Sequence, residues 1–158
     1  MQIRFLFSFL AMATFLGAQT PTGNPFFAFD DVHAIWLTID KTDWWETLDA
    51  WHRADKSDML EADLVWNTTK LPRVGVRFKG NSSYSHPGRK KPFRIDFDKF
   101  VKDQKIGDIA TLSLGNNWGD PTFVREDSFY RLVEAAGLPR PESNRARSAV
   151  VPAARAVN

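Results

Sequence analysis

The sequence predicts an α+β fold, a mostly antiparallel sheet with helices packed on its apolar face. Three observations predict it: short segments alternate apolar and polar residues with a period of two, two segments repeat apolar residues at helical spacing, and turn-forming residues cluster between them. The apolar fraction of 43% and the aromatic fraction of 13%, with six Trp and thirteen Phe, are those of a packed chain and not of a disordered one.

The first element is not part of the fold. Arg4 supplies a positive charge, Phe5 to Leu16 is an apolar run broken by Ser8 and Thr14, and Leu16-Gly17-Ala18 offers small residues before Gln19. This is the three-part pattern of a signal peptide over residues 1–18, so the chain is expected to be secreted. The run falls short of the ~20 apolar residues of a spanning helix, and no stable membrane anchor is expected. Residues 19–28, with Thr20-Pro21-Thr22-Gly23-Asn24-Pro25, read as a linker. About 140 residues remain, enough for one domain, placed at 29–151.

Val32 to Ile39 reads as a strand with both faces partly buried. Asp43-x-x-Glu46 resembles a capping box, and Trp44, Trp45, Leu48 and Trp51 then fall at helical spacing up to about Arg53, a stripe read as core. Leu60 to Trp66 and Val74 to Lys79 alternate, with Asn67-Thr68-Thr69-Lys70 and Pro72 between them, and read as an antiparallel hairpin. Phe93, Ile95 and Phe97 oppose Arg94, Asp96 and Asp98 in the next strand, and Ala110 to Leu114 is a further short one.

The last helix is expected to have Asp120 as N-cap and Pro121 as its first residue, to present Phe123, Val124, Phe129, Tyr130, Leu132, Val133 and Ala136, and to end at Gly137 before Pro139. Ser143 to Val151 reads as one more strand. Residues 152–158 carry no period and read as an irregular tail at which the domain breaks off.

The absence of cysteine excludes disulfides, a thiolate nucleophile and a Cys-based zinc site. His33, His52 and His86 are scattered and share no metal-ligand spacing, so no metal ligands are assigned. The net charge of +2 falls to +1 when Arg4 leaves with the leader, which does not by itself point to nucleic acid. The basic tail also lacks the interleaved aromatics that single-strand binding uses, so no nucleic-acid partner is expected.

The most informative stretch runs from Gly75 to Ser83 and on through Lys90 to Phe97. Strands place Arg77, Lys79 and Arg94 on polar sides, and the loop between them offers Gly, Asn and Ser with Arg89, Lys90 and Lys91 at its end. Backbone donors from a flexible loop together with cations are chemistry for a phosphate. The competing explanation is a polar hairpin tip whose Lys and Arg pair with Asp96 and Asp98 across the sheet.

The series GVRFKGNSSYS, KKPFRIDFDKFV and LSLGNNWGDPTFVREDSFYRLVEAAGLPRP resembles the CotH kinase family, the spore coat protein H family, in order and spacing. The resemblance implies the front lobe of an atypical protein-kinase fold, with ATP and Mg²⁺ used by the full-length domain to phosphorylate Ser/Thr on secreted or spore-coat-type proteins. It implies that the Gly80 to Ser85 loop covers nucleotide phosphates, with Gly80, Asn81, Ser82 and Ser83 as its binding residues, that Lys79 or Lys91 is the phosphate-contacting cation, and that Arg94, Arg125 and Glu126 complete the site. Glu126 is the candidate carboxylate partner of that lysine. The catalytic and metal-holding Asp residues of such kinases come from the second lobe. The chain is therefore read as the N-terminal part of a secreted CotH-like kinase, inactive by itself, with a non-catalytic extracellular adhesin or coat scaffold as the alternative.

Overall fold

The structure, a computed structural model, describes residues 32–139, 143 and 145–152. The expected leader, the linker and residues 153–158 lie outside these. Among the described residues no helix is long and apolar enough to cross a membrane.

Six strands form one sheet in the order β5-β4-β3-β2-β1-β6. They are β1 (His33–Ile39), β2 (Leu60–Trp66), β3 (Thr69–Phe78), β4 (Phe93–Asp96), β5 (Thr111–Leu114) and β6 (Ala146–Pro152). All neighbours are antiparallel except β1 and β6, which run parallel from His33↔Ala146 to Ile39↔Pro152. The sheet is thus mixed, because β6 returns alongside β1 only after the whole meander and the last helix. The helices are α1 (Trp44–Arg53), the single turn α2 (Ser82–Ser85) and α3 (Arg125–Ala135).

The core lies on one face of the sheet. His33, Ile35, Leu37 and Ile39 of β1 are buried, whereas Trp36 on the other face is half exposed. The expectation that both faces of this strand are partly buried holds only for Ala34 and Thr38. α1 lays Trp44, Trp45, Leu48 and Trp51 on the core, as the helical spacing predicts. Phe78 is the centre of an aromatic cluster, with ring centroids of Phe93 at 5.1 Å, Trp45 and Tyr84 at 5.9 Å and Trp44 at 6.5 Å.

Four local expectations are corrected. The capping box does not form: Asp43 accepts from Lys41 Nζ at 2.6 Å and Thr47 Oγ1 at 3.2 Å, and Glu46 accepts from Arg89 at 3.4 Å. Side-chain donors, two of them charged, take these carboxylates in place of the backbone N–H groups. The hairpin loop is shorter than predicted, because only Asn67 and Thr68 turn and Thr69↔Trp66 already pairs. Asn67 takes the left-handed φ of +52° that Asn tolerates.

Pro72 lies not in the hairpin loop but within β3, in a bulge where two residues, Pro72 and Arg73, face Asp63 alone. Arg73 (φ +54°) fixes the bulge, its N–H donating to Asp63 at 3.0 Å and its guanidinium to both oxygens of Glu61 at 3.0 and 3.1 Å. Finally, α3 starts at Arg125 and not near Pro121. Asp120 instead ties the lead-in together, accepting from the N–H groups of Thr122 at 3.0 Å and Arg125 at 2.8 Å. Phe123 at φ +60° cannot be helical, so the chain turns once before the helix begins.

The C-terminal end of α3 is as expected. Gly137, at φ +74°, donates to Glu134 O at 2.9 Å while Leu138 N–H reaches Val133 O at 3.1 Å, a Schellman pair that a glycine at this position permits. α3 buries none of its residues, and Phe129 and Leu132 are 58% and 68% exposed, so it is not packed on the apolar face as α1 is.

Candidate functional site

β3 ends at Phe78, but the ladder continues one step, with Lys79 N–H donating to Pro92 O at 3.0 Å. Gly80 then takes φ +77° and turns the chain into α2; a Cβ there would collide with Ser83 Oγ. Gly80→Ala is therefore expected to destabilise the protein by about 1 kcal/mol or more, read as a lower midpoint in urea denaturation. An unchanged midpoint would show that the loop relaxes freely.

Behind this loop lies a polar cluster built by α1, α2 and the lead-in to β4. The Tyr84 hydroxyl donates to the Asp49 carboxylate, and Arg53 Nε donates to the same group at 2.8 Å. His52 stacks on the Tyr84 ring at 3.6 Å, and its Nε2–H donates to Gly80 O at 2.9 Å. Lys91 lies 4.6 Å over the Tyr84 ring and donates to Tyr84 O at 2.7 Å and His86 O at 2.8 Å, satisfying carbonyls that the end of α2 leaves open. Two of its three ammonium hydrogens are used this way.

Burial, then the adjacent Asp49, pushes the Tyr84 hydroxyl up to about 12, so it stays a donor. Burial alone would raise Asp49, but the hydrogen bonds from Tyr84 and Arg53 and the charges of Arg53 and Lys91 outweigh it and hold the carboxyl below its ordinary 3.8. A lowered folded-state value means stability that is present above 3.8 and is lost as pH falls through the lower folded value. Thermal unfolding between pH 5 and 2 should show a smaller loss for Asp49→Asn than for the parent; equal slopes would remove Asp49 from the acid response.

The sheet curls so that both of its edge strands, β5 and β6, border one cleft of about 1110 Å³ over the apolar face. Its floor includes Leu37, Trp44 and Phe93, and its rim carries Arg89, Lys90, Lys91, Arg145 and Arg147 against the carboxylates of Glu126 and Asp127. The basic loop is held in place by contacts to Trp45 of α1, to Phe123 and to Asn116. Arg89 lies 4.6 Å over the Trp45 ring and its carbonyl accepts from Trp45 Nε1 at 3.3 Å; Lys90 lies 5.2 Å over Phe123. Asn116, 4% exposed, donates to Ser83 O at 2.9 Å and Lys90 O at 3.2 Å, joining the end of β5 to both flanks of the loop.

Residues 76–150 match a family model described as CotH kinase protein. Over this stretch the chain is similar to the CotH kinase family. No curated protein and no solved structure matches the chain. The CotH stretch spans the end of β3, the Gly80 loop, the basic loop, β4, β5, α3 and most of β6; α1, which carries Asp49 and His52, precedes it.

Within that CotH segment the residues expected at a phosphate site divide into groups. Lys91 and Glu126 line the cleft, and Ser83, Arg125 and Glu126 line a neighbouring hollow of about 520 Å³. Lys79, Gly80, Asn81, Ser82 and Arg94 line neither. Among the described residues no ion pair joins Glu126 to Lys79 or Lys91; Glu126 accepts from Tyr130 at 3.3 Å.

The expected pairing of these cations with Asp96 and Asp98 is not found among the described residues. Asp96 accepts from Asp98 N–H and Asp98 from Asp103 N–H, and neither pairs with the cations of β3 or β4. Sequence reasoning did not assign Asp49 or Asn116 to the site. The Asp49–Arg53 spacing of four was visible, but its meeting with Tyr84 spans 35 residues and is tertiary.

Proposed function

We propose that this chain is the nucleotide-binding part of a secreted CotH-type protein kinase, with the phosphates of ATP laid along Lys90 and Lys91 at the rim of the concave cleft. The observation that carries this is the gathering of five cationic side chains on one cleft, all of them within the CotH stretch. Such cations neutralise phosphate charge and hold the transferring group in place. The acceptor in this reading is a Ser or Thr hydroxyl of a secreted or coat-type protein.

The triphosphate fits the donor set. Among the described residues no three His, Asp or Glu side chains stand together, so no all-protein metal cage is assigned; Mg²⁺ would enter with the triphosphate, which supplies most of its ligands. What these residues supply is binding and orientation of phosphate, and binding without turnover is the expected behaviour of the 158-residue chain. Titration with Mg·ATP should quench or shift the emission of Trp45, which lines the cleft, in a saturable way. No saturable change would sink the proposal, and labelled phosphate transfer by the chain itself would overturn the expectation of binding alone.

A further inference from the structure

Arg77, Lys79 and Arg94 are not part of the cleft. Their strand neighbours Val76, Phe78, Phe93 and Ile95 are buried in the core, so the two-residue period puts the three cations on the opposite, convex face. There Arg77 and Arg94 are direct cross-strand partners in the β3–β4 ladder. The β2 pairing ends at Leu60↔Val76, which leaves Arg94 as the strand neighbour of Arg77, and across Arg94 on its other side stands the uncharged Ser113.

Like charges directly opposite one another on a sheet are destabilising, and a carboxylate beside them ordinarily offsets that. Here the carboxylates nearest in register on the same face, Asp96 and Glu61, both stand across from Gly75, two residues along β3 from Arg77; Asp96 accepts from the backbone of Asp98 and Glu61 from the Arg73 guanidinium. Among the described residues neither arginine has an ion pair, although Arg53, Arg73, Arg89 and Arg131 each have one. Both are half-buried, so they cannot separate fully into solvent. Two guanidinium groups at cross-strand distance, with an ammonium two residues further on, match the several donors a tetrahedral oxyanion accepts.

We propose that Arg77, Arg94 and Lys79 form an oxyanion site for a phosphate or sulfate group on the convex face, separate from the nucleotide cleft. The test follows the Nε–H resonances of Arg77 and Arg94 in the whole chain during titration with inorganic phosphate, inorganic sulfate or chloride at matched ionic strength. Saturable shifts of both resonances with either oxyanion, absent with chloride, are expected, and the difference between the two curves names the preferred anion.

Arg94→Gln should weaken binding at the Arg77 resonance by about tenfold or more. Arg94→Glu should abolish it and, by turning a repulsive pair into an attractive one, raise the melting temperature in dilute buffer. Lys90→Gln with Lys91→Gln should leave it unaltered. Shifts no larger in phosphate and sulfate than in chloride, or shifts that vanish with the Lys90 and Lys91 changes, would overturn the site.

Discussion

Replacing Lys90 and Lys91 together by Gln is expected to weaken Mg·ATP binding by about tenfold to a hundredfold, the scale of one or two charge-assisted hydrogen bonds. Gln removes both charges but keeps an N–H donor at position 91, where Lys91 rests on Tyr84 O and His86 O. The melting temperature should then stay within a few degrees while the affinity falls. Lys79→Gln serves as the comparison, because Lys79 does not line the cleft. An equal loss in both would move the phosphate site to the other face of the sheet, and no loss in either would remove the basic loop from nucleotide binding.

The largest expected loss of stability is at Phe78. It is 2% exposed, and its ring touches aromatic residues from α1, α2 and β4, namely Trp44, Trp45, Tyr84 and Phe93. Phe78→Ala should cost about 3–5 kcal/mol in urea unfolding, from lost burial and from the cavity left between elements that cannot all close on it. Against a total of about 5–15 kcal/mol this is enough to leave a marginal fold. Phe78→Leu should cost less than half as much, and similar small losses for both would mean the cluster repacks.

Phe129 on α3 makes a contrasting case. It is 58% exposed in the described residues, so Phe129→Ala has little burial to lose. The two phenylalanines are equally apolar in the sequence, and only their neighbours in space distinguish them.

That contrast separates what was legible in the sequence from what was not. The period of two in Val74 to Phe78 and in Phe93 to Phe97 marked the buried sides of β3 and β4, and the Trp spacing marked the inner face of α1, because alternation and helical repeat follow from local geometry. Gly137 marked the end of α3 for the same reason, since its left-handed φ is a property of one residue.

The residues that the resemblance implies for a phosphate site could not be sorted between the two faces of the sheet from the sequence. Lys79 and Lys91 stand at the same two strands' edges and differ in which face each meets, a fact fixed by the ladder register and the Gly80 turn.

By itself, then, the sequence determined a mostly antiparallel sheet with one hairpin, its buried face and a CotH resemblance, which the family model finds over residues 76–150, all carried by short runs of neighbouring residues. Only the tertiary structure decided that the sheet curls to bring β5 and β6 to one cleft, that Asp49 reaches Tyr84 across 35 residues, and that Lys91 faces the cleft while Arg94 meets Arg77 on the far side. The physical reason is that a cleft is made by elements distant in sequence. Charge and hydrogen-bonding capacity are written in each residue, but which charges share a space is set by the packing of the apolar face beneath them.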